Sequence, residues 1–349
     1  MLKYRFFNDY SEGAHPSLLD LMLKTNWDQD DGYGNDNLSR QAEELLKQAV
    51  ENPVAAVHFV SGGTQANLIV LASLLKPYES VIAASSAHIN VHEAGAIEAT
   101  SHKIHAVDTA DGKLSPDQIQ AVVDQHTDEH MVKPKVVFIS NSTEVGTVYH
   151  KSELESIARV CAANSLYLYL DGARLGSALT SKGSDLTLPD LSELVDIYYI
   201  GGTKNGALLG EAIIINTPDL QTNFRYHLKQ RGALLAKGRL VGAQFVGLFS
   251  DGLFFELARH ANAMAEKLSQ GIEKLGFPFL TNSPTNQIFP IMSNPMIGEL
   301  QKIYGFYVWS KIDAGHSTIR LVTSWATQES KVDEFIADIA ALAREQTGN

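Results

Sequence analysis

Short runs of apolar, β-branched and aromatic residues alternate with longer helical stretches from about residue 54 onward. That rhythm predicts crossover units on a largely parallel sheet. Seven runs read as strands: AAVHFV, SVIAAS, HKIHAV, KVVFIS, LYLYLD, DIYYIG and EAIIIN. Between them, Ser115-Pro116-Asp117-Gln118 supplies an N-cap, a proline at the first helical position and a capping-box glutamine, so a helix is predicted through about residue 126. Thr217-Pro218 repeats the cap-plus-proline signal and predicts another helix. After about residue 250 the texture changes. A long helix is predicted from Leu253 to Leu275, then NQIFPIM, a short helix around Met296 to Tyr304, the strand TIRLVTSW and a final helix. The expected organisation is an N-terminal arm over residues 1–30 that joins a small domain, a large domain over 31–250, and the small α+β domain over 251–349. The boundary is expected inside a helix rather than in a flexible linker.

Composition narrows the function classes. The 349 residues are 44% hydrophobic and 19% charged, with 28 Lys and Arg against 40 Asp and Glu for a formal charge of −12. Such a balance repels phosphate backbones at long range, which argues against nucleic acid or an anionic membrane surface as a partner. No apolar run reaches the length of a membrane-spanning helix and no secretory signal opens the chain, so a cytoplasmic protein is expected. The one cysteine, Cys161, falls in a helical pattern and reads as core.

In an open α/β sheet, ligands bind beyond the carboxyl ends of the strands, and five polar groups follow strands here. Ser61-Gly62-Gly63-Thr64 leads into a helical run, a seat for phosphate or simply a tight turn. His88 and His92 are four apart, a spacing that would suit a metal pair, but no third ligand can be placed and no metal is expected. Asp171 ends an apolar strand, where Arg174 is one available partner. Lys204 stands among small residues after another strand, either reaching solvent or held as a nucleophilic amine. Arg320 sits inside an apolar strand with Arg239 as a companion candidate, each wanting a carboxylate or phosphate.

Together these parts resemble the low-specificity L-threonine aldolases, in the β-eliminating lyase group of fold-type I pyridoxal phosphate (PLP) enzymes. The resemblance runs from Asn8-Asp9 and Tyr33-Gly34-Asn35-Asp36 through GTQAN, AH, DGAR and the lysine loop to IRLVT. It implies an α/β, fold-type I PLP-dependent transferase-like fold, and PLP as cofactor. By that likeness Gly62, Gly63 and Thr64 would seat the phosphate, Arg239 adding positive charge from a neighbouring subunit. His88 would stack on the ring, Asp171 would hold the pyridine nitrogen protonated, and Lys204 would be the Schiff-base lysine. Arg174 would serve ring or substrate, Arg320 would take the substrate carboxylate, and Asn8 and Tyr33 would also bind substrate. The implied activity is retro-aldol cleavage of L-threonine or L-allo-threonine to glycine and an aldehyde, with His88 first and His130 second as candidate bases. A homodimer or homotetramer with the site at the subunit interface is implied as well.

Three departures lie near the expected substrate end. The segment relatives write ENTHNG is Asn141-Ser142-Thr143-Glu144-Val145-Gly146, the lysine is flanked by GGT and NGA, and Asn8 replaces a serine. The competing readings are a β-eliminating lyase acting on another amino acid, a non-catalytic binding protein on the same scaffold, and a zinc hydrolase built on His88 and His92.

Overall fold

A computed structural model describes residues 2–347, with side chains through residue 344. The strands are β1 (Tyr4–Arg5), β2 (Ala56–Val60), β3 (Glu79–Ala84), β4 (Ile104–Val107), β5 (Lys133–Ser140), β6 (Tyr167–Asp171), β7 (Ile197–Gly201), β8 (Glu211–Ile215), β9 (Gln287–Ile288), β10 (Ile291–Ser293), β11 (Tyr304–Gly305), β12 (Tyr307–Lys311) and β13 (His316–Val322). Strands β2 to β8 build one seven-stranded sheet in the order β2-β8-β7-β6-β5-β3-β4. The neighbours β4, β3, β5, β6 and β7 pair in parallel, and β8 runs antiparallel to both β7 and β2. All seven apolar runs read from the sequence are therefore strands. Every residue of β3, β7 and β8 is buried, as expected of strands covered on both faces by crossover helices.

The helix after Ser115 spans Pro116–Gln125 with its capping box formed: Gln118 N donates to Ser115 Oγ and Ser115 N donates to Gln118 Oε1. The second cap-plus-proline signal does not propagate. Pro218–Gln221 is a single 3₁₀ turn and the helix follows at Phe224–Gln230. Thr217 spends its hydroxyl on Asp196 Oδ1 at 2.6 Å instead of on the helix end, which is why the signal misleads.

Beyond the long helix Leu253–Lys274, β10, β13 and β12 form an antiparallel sheet that β9 joins through β13. NQIFPIM contributes two strands, β9 and β10, with Pro290, which has no N–H for a ladder, between them. The short helix runs Asn294–Gln301 and the final one Glu329–Thr347. Two cores result. Phe254 and Leu257 belong to the one around the large sheet. Met264, Ala265, Leu268 and Ile272 of the same helix belong to the other, with Ile319, Leu321 and Phe335. Phe6 lies in that second core, where β1 pairs in parallel with β11. Cys161 is buried on the Lys151–Ala163 helix, and burial pushes its thiol up to about 12, so it is an unreactive packing residue.

Candidate active site

One edge of the large sheet collects the chemistry. Parallel strands all end on that edge, so Val60, Ala84, Ser140, Asp171 and Gly201 deliver their following loops to one place. The antiparallel β8 begins there, since Glu211 pairs with both Val60 and Gly201. The loops border a cleft of about 860 Å³, which β12, Arg320 of β13 and Gln287 of β9 close from the other side.

At one end, Gly62, Gly63 and Thr64 line the cleft, and the helix Gly63–Leu74 starts with no side-chain cap on its N–H groups. Those free donors and the positive end of the helix dipole suit an anion. Gly63 is required by its neighbour: a Cβ there would lie 2.8 Å from Tyr199 Oη.

Asp171 is buried and held from three sides. Its Oδ1 accepts from Tyr199 Oη at 2.5 Å and Ala173 N at 3.0 Å, and its Oδ2 accepts from Asn67 Nδ2 at 3.1 Å. Asn67 Nδ2 also donates to Glu93 Oε1 at 2.7 Å, and the same oxygen lies 2.8 Å from His88 Nδ1. Tyr169 Oη completes the chain by donating to Asn67 Oδ1. A hydrogen-bonded line thus fixes the aspartate, the imidazole and the helix start as one rigid unit.

Among the described residues Lys204 makes no hydrogen bond or ion pair, although it borders the cleft. Burial, reinforced by the Arg174 guanidinium, lowers its amine against the pull of Asp9, Asp171 and Glu211. A lowered, unpartnered amine is a nucleophile. Behind it, Glu211 accepts from Gly202 N at 2.8 Å, and burial pushes its carboxyl up to about 7.

Arg174 does not meet Asp171, the partner considered for it from sequence. Its Nε and Nη2 fork onto Asp9 at 2.7 and 3.0 Å, leaving Asp171 to Tyr199 and Asn67. Arg174 still lines the cleft. Arg320 lines it too, with its guanidinium against the rings of Tyr307 and Trp309, at 5.5 and 5.0 Å from their centroids. Among the described residues its only hydrogen bond is a long one to Phe7 O at 3.4 Å, and its Nε is buried without a partner.

Four residues proposed from sequence do not reach this cleft within the chain. Asn8 turns its side chain back on its own turn, where Oδ1 accepts from Tyr10 N and Ser11 Oγ; the acidic neighbour Asp9 goes inward in its place. Tyr33 lines a separate pocket of about 300 Å³ beside Arg40, Glu43 and Arg225, with Lys229 Nζ 4.6 Å from its ring centroid. Arg239 donates to the carbonyls of Thr25 and Asp28. His130 sits exposed in a turn and does not line the cleft. His88 and His92 do lie together, with ring centroids 5.6 Å apart, yet no group of three or more ligating side chains exists among the described residues.

Sequence reasoning missed Glu93, Asn67, Tyr199, Asp9, Glu144, Glu211 and Gln287. Glu144 Oε1 accepts from Ser140 Oγ at 3.0 Å and from His88 N at 3.1 Å, and the residue borders the cleft. Burial and then the Asp171 charge hold its carboxyl above the usual range.

The geometry finds counterparts among known proteins. A family model described as Beta-eliminating lyase matches residues 11–295. The chain belongs to the beta-eliminating lyase family. The lyase is 35% identical over 342 residues to a low specificity L-threonine aldolase of a Pseudomonas species, covering 97% of each chain. It is 34% identical to the Pseudomonas aeruginosa protein of that name over 96% of each. Among solved structures, Leishmania major threonine aldolase superposes with a TM-score of 0.96 at 48% identity, covering 97% of the lyase and 99% of that chain. Aspartate aminotransferase of Thermus thermophilus, at 14% identity and a TM-score of 0.72, shares the fold alone. The lyase is thus a PLP-dependent enzyme of fold type I, a class whose members are typically dimers with the active site at the subunit interface. No single helix among its described residues is long and apolar enough to cross a membrane.

The donor set fits that cofactor. An uncapped helix start faces one end of the cleft, a pinned carboxylate lies in its wall, and the amine that must join the carbonyl carbon has no competing partner.

Proposed function

We propose that the lyase cleaves β-hydroxy-α-amino acids of the L-threonine and L-allo-threonine type to glycine and an aldehyde. The observation that carries this reading is the unpartnered Lys204 amine in a cleft bounded by Asp171 on one side and by Arg320, with its partnerless Nε, on the other. Aldolases among the relatives covering nearly the whole chain support the same choice.

Pyridoxal phosphate, when bound, supplies an electron-withdrawing ring that takes up the electron pair released when the Cα–Cβ bond breaks. Each residue then has a task. Gly62, Gly63 and Thr64 hold the phosphate through backbone donors at the helix start. Asp171, kept in place by Tyr199 and Asn67, holds the proton on the pyridine nitrogen. Lys204 would hold the cofactor covalently through its side-chain amine, and its ammonium form would be the group placed to give a proton to Cα. Arg320 takes the substrate carboxylate in a fork, its plane set by Tyr307 and Trp309. Arg174, anchored by Asp9, shapes the ring side of the cleft.

His88, which lines the cleft, would lie against the ring and would be the base for the β-hydroxyl proton. Glu93 accepts from Nδ1, which fixes the tautomer and leaves Nε2 as the basic nitrogen. Tyr33 and Arg239 lie away from this cleft in the same chain, so their proposed roles place them in the site of a neighbouring subunit of a homodimer or homotetramer.

The test compares the purified enzyme with Lys204→Ala. Wild type should absorb in the visible, and release glycine and acetaldehyde from threonine, with both properties lost in the variant. Release of pyruvate and ammonia instead would replace aldol cleavage by β-elimination. A wild type that stays colourless when PLP is supplied would remove the reading altogether.

A further inference from the structure

Gln287, on β9, is wholly buried and lines the cleft, yet neither its Oε1 nor its Nε2 has a hydrogen-bond partner among the described residues. The strand fixes it: Gln287 pairs with Val322 of β13, and its carbonyl lies close to the Gly146 turn. Buried carboxamides are almost always satisfied, and one left with both a donor and an acceptor idle at a cleft wall calls for a partner from the cleft, water or ligand. Among the described residues the side chain bonds to no protein group, so no hydrogen bond within the fold explains the amide. Two other buried polar atoms without partners belong to residues lining the same cleft, Ser142 Oγ and Arg320 Nε.

The remaining parts of an amino acid are already provided for. Its carboxylate suits the cationic Arg320, and its amine goes to the Lys204 end of the cleft. A neutral amide that offers one acceptor and a donor pair complements a group that is itself both donor and acceptor. A hydroxyl is such a group, whereas a carboxylate accepts only. We infer that Gln287 is a specificity-determining residue that binds the hydroxyl on Cβ of the substrate, selecting hydroxylated amino acids over their deoxy analogues. This rests on the reading of the cleft as an amino-acid site.

The test is binding to the holoenzyme, followed by the change in its visible absorption as L-serine, L-alanine and glycine are titrated. Wild type should prefer serine to alanine. Gln287→Met keeps the length and removes both polar atoms, so the preference should fall about tenfold or more. Alanine and glycine should bind as before within about twofold, and the melting temperature should hold or rise, since an idle buried amide has been removed. Gln287→Asn, which withdraws the carboxamide by one methylene, is the second variant and should lose the same preference. Equal weakening of all three ligands would overturn the inference in favour of a carboxylate-binding or packing role. An unchanged serine-to-alanine ratio would overturn it outright. Because the ratio is read from binding, absence of glycine release from threonine would count against the aldol reading separately.

Discussion

Arg174 and Asp9 form a forked ion pair across 165 residues of sequence, with Nε–Oδ2 at 2.7 Å and Nη2–Oδ1 at 3.0 Å. Asn286 Nδ2 adds a third donor to the same carboxylate at 2.8 Å. One buried carboxylate therefore ties together the N-terminal arm, the loop after β6 and the residue before β9, next to cleft-lining Tyr10, Arg174 and Gln287.

The first prediction concerns that pair. Burial pushes the Asp9 carboxyl up, but Arg174 and Lys204 outweigh it and hold the group below its ordinary value. Asp9→Asn leaves the Arg174 charge without a counterion in the interior, and should cost about 3–5 kcal/mol in denaturant unfolding. The sign of the pH dependence follows from the depressed value. The stabilisation is fully present above the unfolded carboxyl value of 3.8 and is lost as pH falls through the lower folded value. The gap between wild type and variant should persist at pH 5 and close only in stronger acid.

A second prediction concerns the glycine at the helix start. The Cβ of Gly63→Ala would sit 2.8 Å from Tyr199 Oη, and that hydroxyl is pinned to Asp171 at 2.5 Å. The ring has little room to yield, being 1% exposed. Gly63→Ala should lower stability by about 1–3 kcal/mol and weaken PLP binding, through displacement of the Tyr199–Asp171 bond. Tyr199→Phe removes the obstructing oxygen, so Gly63→Ala should cost less in that background. A double-mutant cycle on unfolding free energies should give a coupling of about 0.5 kcal/mol or more. Strict additivity would show that the contact is relieved elsewhere.

Much of this architecture was legible from the chain. The strands of the large sheet were readable because β3, β7 and β8 are buried throughout and write themselves as apolar runs, while the edge strand β4, with no fully buried residue, was readable from the β-branched Ile104 and Val107 at its ends. His88, Asp171 and Lys204 were readable because a polar residue just past such a run has few other reasons to be there. Glu211 was hidden by topology. It opens β8, and only the reversal of that strand carries its first residue to the edge where the other strands end. Asp9 and Gln287 were hidden by distance, since nothing local marks a residue whose partners or cleft neighbours lie hundreds of positions away. Thr217-Pro218 misled for a related reason, as a tertiary acceptor on Asp196 outbid the helix end for the threonine hydroxyl.

The last prediction follows from Glu211. Its carboxyl is buried beneath the lysine loop, and that burial pushes it up to about 7 from an ordinary 4.5, against the opposing pull of Thr203, Lys204 and the Gly202 N–H. A carboxyl raised on folding binds its proton more tightly in the native state, so it favours folding below the unfolded value. That contribution is lost as pH rises toward the folded one. Glu211→Gln keeps an acceptor for Gly202 N and removes the ionisation. In the cofactor-free protein, the variant's melting temperature relative to wild type should rise between pH 4.5 and 7 and level off above it. The carboxylate also supports the Lys204 ammonium, whose value is already lowered by burial and by Arg174. With that support gone the amine should release its proton at still lower pH. The rate of PLP capture by the cofactor-free variant, followed in the visible, should therefore reach its plateau at lower pH than in wild type. A melting difference that is flat with pH would show that Glu211 does not titrate in this range, and a capture profile shifted to higher pH would show that it opposes rather than supports the ammonium.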